Sequence, residues 1–170
     1  MPGLNRSLIG AQFGNSDGAT QLFALGQHAQ GDSGSEWVYV QASGALSTGQ
    51  CVVVTSGFLA AVATLQLAIG NLGVSQNWQL AFAQGNFAAS DYGWVAIKGT
   101  SLQVALSTMS TLGVPLYIQA GGSGALSNAT ATSGTIAGVI YTTVSATGVT
   151  NANCNGVVTY PRLSSGAFGS

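Results

Sequence analysis

From Trp37 onward the chain is punctuated: short β-branched and aromatic runs are broken by Gly, Ser, Asn or Asp at intervals of roughly ten residues. That rhythm leaves room for strands and tight turns, and little for helices of ordinary length. The candidate strands are 37–42, 50–55, 59–64, 68–74, 79–84, 93–98, 102–106, 116–119, 135–144 and 156–159. Between them, Ser43-Gly44, Ser56-Gly57, Gly121-Gly122-Ser123-Gly124 and Ser133-Gly134 supply the positive φ angles that tight turns require. The most helix-compatible stretch, 58–67, is rich in Ala and Leu but short and flanked by Gly and Thr, so it also reads as a strand. The expected fold is all-β: a small β-barrel or β-sandwich.

Residues 1–35 are different in kind. They hold seven of the glycines, three of the charges and no strand-like run longer than 21–25, which predicts an extended Gly-rich N-terminal arm. The body then spans 36–163, and 164–170 form a Gly- and Ser-rich flexible tail. The body contains one internal echo. Tyr39-Val-Gln-Ala-Ser-Gly-Ala-Leu-Ser47 recurs, with two residues inserted, as Tyr117-Ile-Gln-Ala-Gly-Gly-Ser-Gly-Ala-Leu-Ser127, and each copy precedes a Ser-Gly pair and an apolar run. Two copies suggest related β-hairpin units within one domain; a solenoid needs three or more stacked repeats.

Only seven side chains in 170 residues are charged: Arg6, Asp17, Asp32, Glu36, Asp91, Lys98 and Arg162. Three scattered basic residues cannot form the cluster that phosphate neutralisation needs, so a nucleic-acid partner is excluded. The apolar content, 46%, excludes a disordered chain. The spans 38–90 and 99–161 carry no charge, yet the most apolar window, 52–74, is broken by polar residues and glycines and is not a membrane-spanning helix. The N-terminal MPGLNRSLIGAQFG lacks a signal-peptide core, so nothing in it marks the chain for export, and synthesis in the cytoplasm is expected. With one Lys in the chain, the usual device of blunting sheet edges with Lys is nearly absent. Covered edges, and hence an oligomer or assembly component, are expected.

Catalytic chemistry is poorly supplied. Acid-base work needs a titratable group matched to its task, and the supply is His28 with four carboxylates. A triad of Ser33, His28 and Asp32 lacks a nucleophile elbow and an oxyanion hole, so no catalytic residue is assigned. One His, scattered acids and the widely spaced Cys51 and Cys154 give no metal-ligand cluster, and no cofactor motif is present. The cysteines read as buried free thiols, with a disulfide between them as the alternative. Asn128-Ala-Thr130 matches a glycosylation acceptor, but without an export signal it carries little meaning. Trp37, Trp78 and Trp94 read as core or subunit interface ahead of a sugar-stacking platform.

Three motifs, Trp37-Val-Tyr-Val-Gln-Ala42, Asp91-Tyr-Gly-Trp-Val-Ala-Ile-Lys-Gly99 and Pro115-Leu-Tyr117, stand in this order. With them the chain resembles the tailed-bacteriophage capsid decoration, or cement, proteins over roughly residues 24–162. The resemblance implies a β-barrel or β-sandwich that assembles as a homotrimer on the outer capsid surface of a virion and ties together neighbouring copies of the major capsid protein. It implies no turnover and no cofactor. Arg6, Phe13 and Phe23 in the arm are then candidates for contact with the capsid or another subunit, as are Tyr92 and Trp94 where a loop enters a strand. The alternative from another class is a receptor- or glycan-binding module of a phage tail or fibre.

Overall fold

Strand positions follow the apolar runs, and the pairing between them supplies what periodicity could not. The computed structural model describes residues 11–64, 79–107, 115–118, 123–127, 135–142 and 152–163. In chain order the strands are β1 (Ser16–Gly18), β2 (His28–Gln30), β3 (Glu36–Ala42), β4 (Cys51–Val54), β5 (Leu59–Val62) and β6 (Gln79–Ala83). They continue as β7 (Tyr92–Leu106), β8 (Leu116–Ile118), β9 (Leu126–Ser127), β10 (Thr135–Tyr141) and β11 (Ala152–Leu163). A 3₁₀ turn, Asp32–Gly34, lies between β2 and β3. The fold is all-β, and the eleven strands form one mixed hydrogen-bonded sheet. The expected strands 93–98 and 102–106 are halves of the single strand β7. The expected strand 68–74, the turn at Ser133-Gly134, the tail 164–170 and Trp78 lie outside the described residues.

The sheet closes on itself twice. Strands β3, β7, β6, β4 and β5 pair in a ring, and β7, β9, β8, β10 and β11 pair in a second ring that shares β7. Five strands cannot alternate in direction all the way round a ring, so one adjacent pair in each must be parallel. Those pairs are β3 with β5 and β7 with β9; every other pair is antiparallel. This geometry also separates the two echoed segments. The first copy's β3 runs parallel to β5, whereas the second copy's β8 runs antiparallel to β10, so they are not equivalent hairpins. The Gly-Ala-Leu-Ser they share also differs in backbone form, since Gly124 has φ 70° and Gly44 has no positive φ.

Two cores follow from the two faces of the shared strands. Val38, Val40 and Ala42 of β3, Val52 and Val54 of β4, Ala60 of β5, Ala81 and Ala83 of β6, and Val95 and Ile97 of β7 form one cluster, completed by Leu46 and Phe87. It draws on all five strands of the first ring. The intervening residues, among them Trp37, Tyr39, Val53, Phe82 and Trp94, join a second cluster with Leu102, Val104, Leu116, Ile118 and Val158 of the second ring. Strands buried on both faces read as continuous apolar runs, which is why Cys-Val-Val-Val in β4 shows no polar alternation.

Two turn assignments need correction. Neither Gly44 nor Gly57 has a positive φ; after Ser56-Gly57 it is Phe58, at φ 59°, that takes the left-handed conformation. Phe58 N donates to Thr55 O at 2.9 Å, which makes a turn followed by one left-handed residue, a common hairpin connection. A left-handed Phe costs about 1–2 kcal/mol. Its ring lies against the backbone of Gly26, so closely that a Cβ on Gly26 would collide with it, and this packing offsets the cost.

Candidate functional site

The motifs that carry the resemblance meet in space. Tyr39 of β3 stands opposite Trp94 of β7, with Val40 opposite Gly93 and Gln41 opposite Tyr92, while Pro115-Leu-Tyr117 opens β8 on the other ring. The described part of the arm lies over this β3–β7 pair. Strand β1 pairs with β7 through Ser16 and Gly18, opposite Gly93 and Tyr92, and β2 pairs with β3.

Between arm and sheet is an aromatic nest. The Phe13 ring stacks on Trp37 at 4.8 Å and meets Trp94 edge-on at 5.6 Å. Phe23 packs 5.3 Å from both Tyr39 and Trp94, and Tyr92 stacks on Tyr39 at 6.4 Å. Phe13, Phe23 and Tyr92 are therefore half-buried against their own chain. Trp94 is 0% exposed, so its surface is consumed within the fold and none is left for a second chain. Arg6 lies outside the described residues.

Gly93, between Tyr92 and Trp94, is required for room and not for conformation. Its φ is ordinary; what it provides is space, since a Cβ there would stand 2.6 Å from the Phe87 ring. The two buried indoles are served unequally. Trp37 Nε1 donates to Ser35 Oγ at 3.0 Å, whereas Trp94 Nε1 has no acceptor.

A polar lock closes the nest. The Tyr39 hydroxyl donates to Asp17 Oδ2 at 2.8 Å and accepts the Leu22 N–H at 3.1 Å, fastening the arm at two points. Burial pushes the Tyr39 phenol up to about 12, and the Asp17 carboxylate adds to the rise.

A second polar group sits where the two rings adjoin. Lys98 Nζ donates to Glu36 Oε1 at 2.8 Å and the Tyr160 hydroxyl donates to Glu36 Oε2 at 2.6 Å. These two bonds hold the Glu36 carboxyl below its ordinary value and raise both donors. Asp91, seven positions before Lys98, is engaged elsewhere: its carboxylate accepts the Ala88 N–H at 2.9 Å within its own turn. Register, not spacing along the chain, brings Glu36 opposite Lys98.

The remaining chemistry is sparse. His28 is exposed on β2 and, among the described residues, bonds to neither Asp32 nor Ser33. No group of three metal-ligating side chains occurs among the described residues. Cys51 and Cys154 are buried free thiols, and burial pushes Cys51 up to about 12. No helix among the described residues is long and apolar enough to cross a membrane. A surface groove of about 400 Å³ is lined by Pro115 and Thr135–Tyr141, among them Ile140, which is 63% exposed. No protein-family model and no curated protein matches the sequence.

Proposed function

We propose that the chain is a structural virion protein of a tailed bacteriophage, binding the outer capsid surface as a homotrimer and bridging neighbouring major capsid protein subunits. The observation that carries this reading is how the charged groups are spent. Asp17, Glu36, Asp91 and Lys98 each tie one part of the chain to another, which leaves a largely uncharged exterior. Such a surface is suited to broad, static contact through apolar area and backbone hydrogen bonds. The resemblance of the β3, β7 and β8 motifs to capsid decoration proteins supplies the partner.

A trimer presents three linked contact surfaces, so each raises the effective concentration of the others and modest contact per subunit suffices. Because few charges take part, attachment is expected to change little with ionic strength. The test is the ratio of this chain to the major shell protein in purified particles, by quantitative mass spectrometry. A ratio near one, or a simple fraction of it, supports the shell role. A few copies per particle would favour a tail or fibre component, and absence from particles would overturn both. Washing particles with salt at roughly 0.5 M adds a second reading, because release at fixed pH contradicts uncharged attachment.

A further inference from the structure

The two rings share β7, and the strands beside it lose register at one level. The β3–β7 ladder shifts between Glu36 and Trp37, the β7–β11 ladder between Gly156 and Val158, and the β10–β11 ladder between Ala137 and Val139. Lys98 stands opposite both Glu36 and Thr159, and Val158 opposite both Gly99 and Val139, so these irregularities form one line across four neighbouring strands. Along that line Ser101 (φ 60°), Tyr160 (φ 45°) and Gly138 (φ 83°) are left-handed. Gly adopts this freely; Ser and Tyr persist there only where their surroundings hold them.

Tyr160 is held by Glu36 and Lys98. Its hydroxyl is bound by Glu36 Oε2, and Lys98 Nζ, itself bound to Glu36 Oε1, lies 5.5 Å from the centre of its ring. One carboxylate thus joins β3 and β7 of the first ring to the end of β11 in the second. The groups acting on that carboxylate are Lys98 from β7, Tyr160 from β11 and His28 from β2.

We propose that Glu36, Lys98 and Tyr160 form an acid-released clasp that fixes the end of β11 to the junction of the two rings. With Glu36 ionised, both donors make charge-assisted bonds and β11 stays seated through its bulge. When Glu36 takes up a proton, the ion pair is lost, the phenol bond weakens, and Tyr160 leaves its left-handed conformation. The segment 158–163 then loosens while the strands of the first ring remain paired. The sign follows from the carboxyl being held below its ordinary 4.5: the clasp is fully engaged above that pH and opens as pH falls through the lower folded value. This property belongs to the chain itself and does not depend on the capsid reading.

The test is hydrogen exchange by mass spectrometry on the full chain, corrected for the intrinsic pH dependence of exchange, with β4 and β6 as internal references. In the native sequence, protection of a peptide covering 156–163 is expected to fall by a few-fold between about pH 6.5 and pH 3.5, with β4 and β6 essentially unchanged. Glu36→Gln is expected to show the lowered protection at both pH values, with no step between them. Tyr160→Phe keeps the ion pair and is expected to give intermediate protection and a smaller step, which carries the test alone if Glu36→Gln does not fold. The proposal is overturned if the native chain shows no step, if Glu36→Gln retains it, if Tyr160→Phe matches the native chain, or if β4 and β6 lose protection equally.

Discussion

Tyr39→Phe removes one oxygen atom from the interior and, on the geometry of the nest, should unfasten the arm. The hydroxyl makes two bonds, one to a carboxylate at 2.8 Å and one from a backbone N–H at 3.1 Å. A hydrogen bond to a charged group contributes about 1.5–3 kcal/mol and a neutral one about 1 kcal/mol. Asp17 is half-exposed and Leu22 exposed, so water replaces part of both. The expected loss is therefore about 2 kcal/mol near neutral pH, or a fall of about 4–8 °C in Tm for a chain of this size.

The pH dependence makes this prediction specific. Tyr39 is raised from 10.0 to about 12 in the fold, mainly by burial. A group whose folded value is raised contributes its stability below its unfolded value and loses it as pH climbs through the folded one. A gap of about two pH units is worth about 3 kcal/mol, so the advantage of Tyr39 over Phe should shrink from about pH 10 and be gone near pH 12. Cys51 destabilises the fold over an overlapping alkaline range in both proteins, so the difference between them isolates Tyr39. Urea unfolding followed by tryptophan fluorescence at several pH values gives that difference, and ultraviolet titration of the phenols shows whether one late-ionising tyrosine disappears in the variant. A gap that stays constant with pH, or a Tyr39 that ionises with the exposed tyrosines, would refute the argument.

Three further expectations follow from the same geometry. Gly93→Ala places a methyl group against the Phe87 ring and should destabilise by about 1–3 kcal/mol, with Phe87→Leu recovering part of the loss in denaturant titrations of the double variant. Trp94→Phe should cost less than the 3–5 kcal/mol of truncating a buried aromatic, roughly 1 kcal/mol, because it also removes a buried N–H that has no acceptor; calorimetry measures this. Cys51 and Cys154 should resist a disulfide reagent such as Ellman's in the native protein and react together once denaturant is added, since both are buried and Cys51 is held as a neutral thiol.

How much was legible depends on what kind of signal each feature leaves. Cys-Val-Val-Val in β4 and Trp-Val-Tyr-Val in β3 announce strands because burial on both faces demands continuous apolar residues. Ser-Asp-Gly in β1 and His-Ala-Gln in β2 carry no such pattern; they are strands because their backbones meet the open sides of β7 and β3. The join of two expected strands into β7 was hidden by Gly99-Thr-Ser101, which reads as a turn yet continues the ladder with β11. At the site, the aromatic residues of the arm were visible as candidates, but their partners Trp37, Tyr39 and Trp94 were set by register. Glu36 was passed over because its partner Lys98 lies 62 positions away, a separation that no local pattern bridges.

The scarcity of charge and the two-ring sheet are one physical fact seen twice. A strand buried on both faces has no position where a charge can reach water, and β3, β4, β6 and the first half of β7 are all of this kind. Charge is then confined to turns and strand margins. Asp17, Glu36 and Arg162 lie in or at the ends of short pairings, Asp32 in the 3₁₀ turn and Asp91 just before β7, while Lys98 sits at the junction of the rings. Several of these marginal charges are already tied within the chain, and the net charge is -1, so the protein projects little long-range field. Attachment to any partner must therefore come from shape, apolar area and backbone groups at close range. That favours a slowly formed, static assembly over rapid electrostatically steered encounter.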